Sequence, residues 1–143
     1  MNYKVGSDDQ PIDGLAHATE HMMFRGSKTL SADALINTMD ITGGDYDAET
    51  DNEVTKYFFT VPSQYLDLAL RAERSRATGV LMLPSQWKTE RLAITQEVTL
   101  DNSNALYRLF DKMQARMLAG TPYAKNGLGT VFGFEHVVNS TTP

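Results

Sequence analysis

Helical spacing of apolar positions dominates the chain and is broken once, near the middle, by a stretch rich in β-formers. Asp13 reads as the N-cap of a first helix that carries Met22, Met23 and Phe24 and stops at Gly26. A second helix is predicted to start at Ser31, to carry Leu35, Ile36 and Met39, and to end before Gly43-Gly44. Two strand-like runs follow, Asp45–Thr50 and Val54–Val61, and the polar break Asp51-Asn52-Glu53 between them predicts a hairpin. Ser63 reads as the cap of a helix with Tyr65, Leu66, Ala69 and Leu70, reaching to Ala77. A longer helix is expected from Ser85, after Pro84, with Trp87, Leu92, Ile94 and Val98. Asp101-Asn102-Ser103-Asn104 interrupts or kinks it, and helical spacing resumes at Leu106, Leu109, Phe110, Met113 and Met117. Gly120-Thr121-Pro122 ends that stretch ahead of a segment containing Gly127, Gly129 and Gly133. With Tyr3–Val5 as the tail of a further strand, the pattern is α+β: an antiparallel sheet packed against helices.

Length and composition narrow the classes. The 143 residues suffice for one core and are too few for two ordinary domains, so 1–143 reads as a single domain. A net charge of -5 with no Lys/Arg cluster speaks against a nucleic-acid partner. No apolar run approaches the roughly 18 residues of a membrane span. Without cysteine, neither a disulfide framework nor a thiolate metal site is available. Met1–Gly6 lacks the basic and apolar regions of a signal peptide, and Asn139–Pro143 stops on turn formers. A fragment of a longer protein is the expectation.

The chemistry concentrates in His17-Ala18-Thr19-Glu20-His21. Residues four apart on a helix share a face, so His17 and His21 aim both imidazoles at one point, a two-ligand seat for a divalent metal. Glu20 reaches the rim of the same site, where a carboxylate can take a proton from water that the metal has acidified. The order reverses His-Glu-x-x-His but presents the same groups. A catalytic zinc site usually has three protein ligands and one open position. His136 lies near the C-terminus, so a carboxylate is the better third ligand. Glu90 and Glu97 stand two helical turns apart and share a face of the long helix; one can ligate while the other supports it. Helix geometry alone leaves those two roles open, and spacing alone does not separate either from a solvated helix face.

The segment from Gly14 to Ser27, with His17, Glu20, His21, Met22, Met23, Phe24 and Gly26, closely resembles the signature of the pitrilysin/insulinase family of metallopeptidases. That family includes insulin-degrading enzyme and the mitochondrial processing peptidases. Gly43-Gly44 with Asp47-Ala48-Glu49-Thr50 and Tyr57-Phe58-Phe59 is similar to its hairpin, and Glu90-Arg91 with Gln96-Glu97-Val98 to its ligand-bearing helix. Pro122-Tyr123 and Gly129-Thr130 resemble its later loop, so the likeness runs nearly the whole chain. The resemblance implies that His17, His21 and Glu97 ligate Zn2+, that Glu90 is a supporting carboxylate, and that Glu20 is the catalytic base. It places Asp47, Ala48, Glu49 and Thr50 on the strand lining the cleft, as candidate substrate-binding residues. It also implies a metallopeptidase domain of the processing-peptidase type, here without its first strand, repeated in the full-length enzyme so that paired halves close around an extended peptide. Asp47 departs from the family's usual Asn. Asp45, Asp47 and Glu49 share one strand face, which reads better as a solvated edge discouraging aggregation than as an acidic wall favouring basic peptides.

The expected function is that of a zinc metalloendopeptidase in which zinc-activated water attacks the peptide carbonyl with Glu20 as general base. The alternative is a non-catalytic substrate-binding or structural subunit of the same fold, against which the intact His17, Glu20, His21 and Glu97 argue. Two histidines and one carboxylate also describe non-haem iron sites, but Glu20 beside His21 favours hydrolysis. Expected partners are a peptide or protein substrate and a homologous second half, on the same or another chain. An unpaired sheet edge is expected to promote self-association. Alone, the chain is expected to bind zinc without useful turnover, because the partner half supplies part of the substrate clamp.

Overall fold

The computed structural model describes residues 2–3, 6 and 12–134. Residues 7–11, the strand end expected at Lys4 and Val5, and His136 lie outside the described residues. In order, the chain forms β1 (Asn2–Tyr3), α1 (Leu15–Met22), α2 (Ala32–Thr42), β2 (Asp45–Thr50), β3 (Thr55–Thr60), α3 (Leu66–Gly79), α4 (Pro84–Ser103) and α5 (Ala105–Met117). The sheet is antiparallel in the order β1-β3-β2, with Asn2 opposite Lys56 and Asp45 opposite Thr60. This is the α+β architecture expected from the pattern.

Alternation along the hairpin decides which side faces the helices. Thr55 and Tyr57 of β3 are buried, while Asp45, Asp47 and Glu49 of β2 are exposed and Tyr46, Ala48 and Thr50 are half-buried. On the exposed face Lys56 reaches across to Asp51 at 2.7 Å and Glu49 at 3.4 Å, and these bonds raise the pKa of its ammonium. Among the described residues β2 pairs with β3 alone and has no strand on its other edge.

α1 lies between the sheet and α4 and buries Ala16, His17, Ala18 and Met22. Two alanines in that set allow close approach to both neighbours. From α4, Glu90, Ile94 and Val98 form a buried stripe spaced by four. Ile94 and Val98 join Ala18 and Phe134 in a core that Trp87 and Leu128 flank. Burying each larger aliphatic side chain there contributes about 1.5–3 kcal/mol, so the helix pair that carries the chemistry is anchored in a packed core. A second brace lies at the far end of α1. The buried Arg76 guanidinium sits 4.8 to 5.0 Å from the rings of Phe24, Tyr57 and Phe59 and pairs with Glu73, tying α3 to the sheet by cation–π contact.

Several boundaries differ from those expected. Asp13 does not cap α1; Gly14 holds the N-cap at φ 87°, with no side-chain cap bond, because its Cα must lie against Gly129. α1 ends at Met22, and Met23 and Phe24 form a turn. Ser63 does not cap α3: Pro62 leads into a 3-10 turn, Ser63–Tyr65, and α3 begins at Leu66. Leu66 and Leu70 are exposed, and α3 instead buries the small Ala69, Ala72 and Ser75 alongside Arg76. β3 runs over Thr55–Thr60, one residue shorter at each end than the expected run. α4 begins on Pro84, whose missing N–H costs nothing at a first helical position. Ser31 does cap α2, accepting from the Ala34 N–H at 3.2 Å. The interruption at Asn104 is a true helix break: its side chain accepts from the N–H groups of Leu106 and Tyr107 and starts α5.

Candidate metal centre

One turn of α1 and one face of α4 meet at His17, His21 and Glu97. Each offers one ligand atom, and these atoms lie within 4.8 Å of one another. The two Nε2 atoms are 3.1 Å apart; His17 Nε2 lies 3.5 Å from Glu97 Oε1, and His21 Nε2 lies 3.4 Å from Glu97 Oε2. Donors held about 2.0–2.1 Å from a tetrahedral zinc stand roughly 3.3–3.4 Å apart, so this set has the right span for such an ion.

The opposite nitrogens show which way the lone pairs point. His17 Nδ1 is 2.9 Å from the Leu128 carbonyl, and His21 Nδ1 is 3.1 Å from Glu90 Oε2. A carbonyl and a carboxylate only accept, so both Nδ1 atoms carry the proton and both Nε2 atoms present lone pairs. In the neutral imidazoles, two Nε2 lone pairs and a carboxylate then converge on one point. That cluster is repulsive unless a cation sits between its members.

Burial grades the supports. The Glu90 side chain is 5% exposed, and its second oxygen pairs with Arg25, whose carbonyl in turn accepts from Gln86 Nε2 at 2.6 Å. The Glu97 side chain is 42% exposed and opens toward solvent. Glu20 lies on the rim, where Oε2 accepts from the Thr50 hydroxyl at 2.5 Å. A hollow of about 420 Å³ on one side of the centre includes Glu20, Glu97, Glu49, Thr50, Tyr107 and Phe110 in its lining. A second, of about 460 Å³, lies on the other side, toward Phe24, Ile36 and Tyr46.

The structure therefore brings His17, His21 and Glu97 together, sets Glu90 behind His21, and puts Glu20 at the edge. Of the four hairpin residues, Thr50 turns its hydroxyl to Glu20, Ala48 and Glu49 line the first hollow, and Ala48 and Asp47 line the second. Sequence spacing gives no hint of the Leu128 carbonyl, which lies 111 positions from His17. Arg25 is legible in principle, four positions after His21 and hence on its side of the chain, but the turn at Met23 and Phe24 hides that signal.

Residues 4–131 match the family described as Insulinase (Peptidase family M16). An uncharacterized zinc protease of Streptomyces coelicolor is 31% identical over 144 residues, covering 96% of this chain and 30% of that protein. An uncharacterized zinc protease of Rickettsia bellii is 30% identical, again over 96% of this chain and over 35% of its own length. The chain thus spans about a third of these curated relatives. Among solved structures, a protease from Helicobacter pylori shares the fold with a TM-score of 0.87 at 22% identity, over 94% of this chain and 33% of that one. Pitrilysin superposes with a TM-score of 0.82 at 26% identity, over 93% of this chain and 14% of its own. With its inverted motif on a helix of that fold and a family match over most of its length, the chain belongs to the insulinase family, peptidase family M16.

Proposed function

We propose that this chain carries the metal centre of a zinc-dependent endopeptidase and that Glu20 is its general base. The observation that carries the reading is the convergence of His17, His21 and Glu97 on one point, with both Nδ1 atoms turned to acceptors so that the Nε2 atoms face the centre. Relatives named zinc proteases support the choice of ion. When bound, the ion supplies a Lewis acid that acidifies water and polarises a carbonyl.

The remaining work belongs to the chain's own groups. Glu20 accepts the proton of the attacking water and can return it to the departing amine nitrogen. Thr50 holds one of its oxygens through a 2.5 Å bond, leaving the other to face the reaction. At the free edge of β2 the Ala48 N–H is held by Asp47 Oδ1 at 2.8 Å, and an extended peptide that displaces this carboxylate can meet the outward backbone groups of Ala48 and Thr50 as an added strand. A strand bound there runs past Glu20 and between the two hollows. Within this chain the peptide has one wall only; a homologous second half, in the same protein or a partner, is proposed to supply the other wall and further oxyanion donors. No helix among the described residues is long and apolar enough to cross a membrane.

The test is Glu20→Gln in the full-length protein. Zinc content should stay at the wild-type level while cleavage of an unstructured peptide falls by about 10²–10⁴-fold, the usual weight of a general base. Zinc content that falls as far as in His17→Ala would make Glu20 a ligand and overturn its assignment as base.

A further inference from the structure

Beyond the ligands themselves, the structure assigns Asn126 as a positioning residue for His17, acting through the backbone carbonyl of Leu128; this deepens the zinc reading above and rests on it. The carbonyl that fixes His17 comes from a loop, and a loop carbonyl is useful only if something aims it. Asn126 does so in three ways. Its Oδ1 accepts from the Leu128 N–H at 2.9 Å, and its backbone oxygen accepts from the Gly129 N–H at 3.2 Å, so both following peptide units are tied to one residue. The same Oδ1 also accepts from the Tyr107 hydroxyl on α5 at 3.2 Å. Burial is the first cause raising the Tyr107 pKa, which keeps that hydroxyl a donor.

The loop is pressed against the start of the helix it serves. Gly14 and Gly129 both have φ of 87°, and a Cβ on Gly129 would lie 2.5 Å from the Gly14 Cα. Gly14 is the N-cap of α1, three residues before His17. Leu128, between Asn126 and that contact, packs on the core of Ala18, Ile94, Val98 and Phe134. The Leu128 carbonyl is therefore fixed relative to α1 from both sides, and the His17 side chain beneath it is only 7% exposed. Partners of a ligand's other ring nitrogen set its tautomer and orientation, and losing them typically costs 10–100-fold in metal affinity. Asn126 touches no ligand, yet His17 presents its Nε2 lone pair through it.

The experiment compares wild type, Asn126→Ala, Asn126→Asp and Tyr107→Phe in the full-length protein. Imidazole nitrogen NMR of the zinc-free protein reads the His17 tautomer, and chelator competition reads zinc affinity. Wild type should show one Nδ1–H form. Asn126→Ala should mix the tautomers and weaken zinc by about 10-fold or more; Asn126→Asp, which keeps the acceptor, should restore both, and Tyr107→Phe should fall between. A folded Asn126→Ala with the wild-type tautomer and affinity overturns the proposal. If that variant does not fold, a Tyr107→Phe protein unchanged in both readouts overturns it instead. A wild-type protein with the Nδ1–H form that binds no zinc would sink the zinc reading and leave the positioning of His17 standing.

Discussion

His17 and His21 lie one turn apart on α1 and are held by different materials. Behind His17, on its Nδ1 side, the support is neutral and dry: a backbone carbonyl on Nδ1, the Phe134 ring 6.3 Å away, and a side chain 7% exposed. Around His21 the support is ionic and wetter: the Glu90 carboxylate on Nδ1, Arg25 behind it, and a side chain 23% exposed. A backbone carbonyl cannot leave, so the His17 side fixes geometry. A carboxylate makes the imidazole a stronger donor to a cation, so the His21 side adjusts the electronics. In the metal seat proposed for this chain, the pair divides the work between a rigid wall and a tunable one.

Direct removal of either histidine is the strongest way to break that division. His17→Ala and His21→Ala should each lower zinc affinity by more than the roughly 10–100-fold of an outer support. They should also differ from each other. His17→Ala leaves the Leu128 carbonyl without a donor in a buried place, so its melting temperature should fall further than that of His21→Ala. Equal melting temperatures would remove the distinction between the two sides.

Glu90→Ala is the intermediate case. It should weaken zinc by about 10–100-fold and free Arg25, whose side chain is 40% exposed and can turn to water. Arg25→Ala should cost less in zinc affinity, since the bond from His21 to Glu90 survives it. Titration of both variants by chelator competition checks the order, and a larger loss for Arg25 than for Glu90 would reverse the proposed chain of support.

The same contrast explains what could be read from the sequence. Helix periodicity puts His17 with His21 and Glu90 with Glu97, each pair on one face of its own helix, because one periodic element supplies each pair; that the two faces meet is implied by the family resemblance and not by spacing. Ser31 was legible as a cap because its bond to Ala34 is local. The Leu128 carbonyl was not, since backbone oxygens carry no sequence signal and this one comes from a distant loop. Asp13 misled for a related reason: it is a good cap residue, but the tertiary contact of Gly14 with Gly129 overrides the local preference. In α5 the helical spacing of Leu106, Leu109, Phe110 and Met117 was correct, while all four are exposed in this chain. Period shows that a helix has an apolar face and is silent on what covers it.

The function proposed for this chain requires the three donors to hold a metal. Zinc X-ray absorption on the wild-type full-length protein and on Glu97→Ala reads this directly. Two imidazole nitrogens and a carboxylate oxygen at about 2.0–2.1 Å are expected in the wild type, with the carboxylate contribution lost and occupancy reduced in Glu97→Ala. Stoichiometric zinc with an unchanged spectrum in that variant would contradict the account, because the ion would then be held somewhere other than between His17, His21 and Glu97.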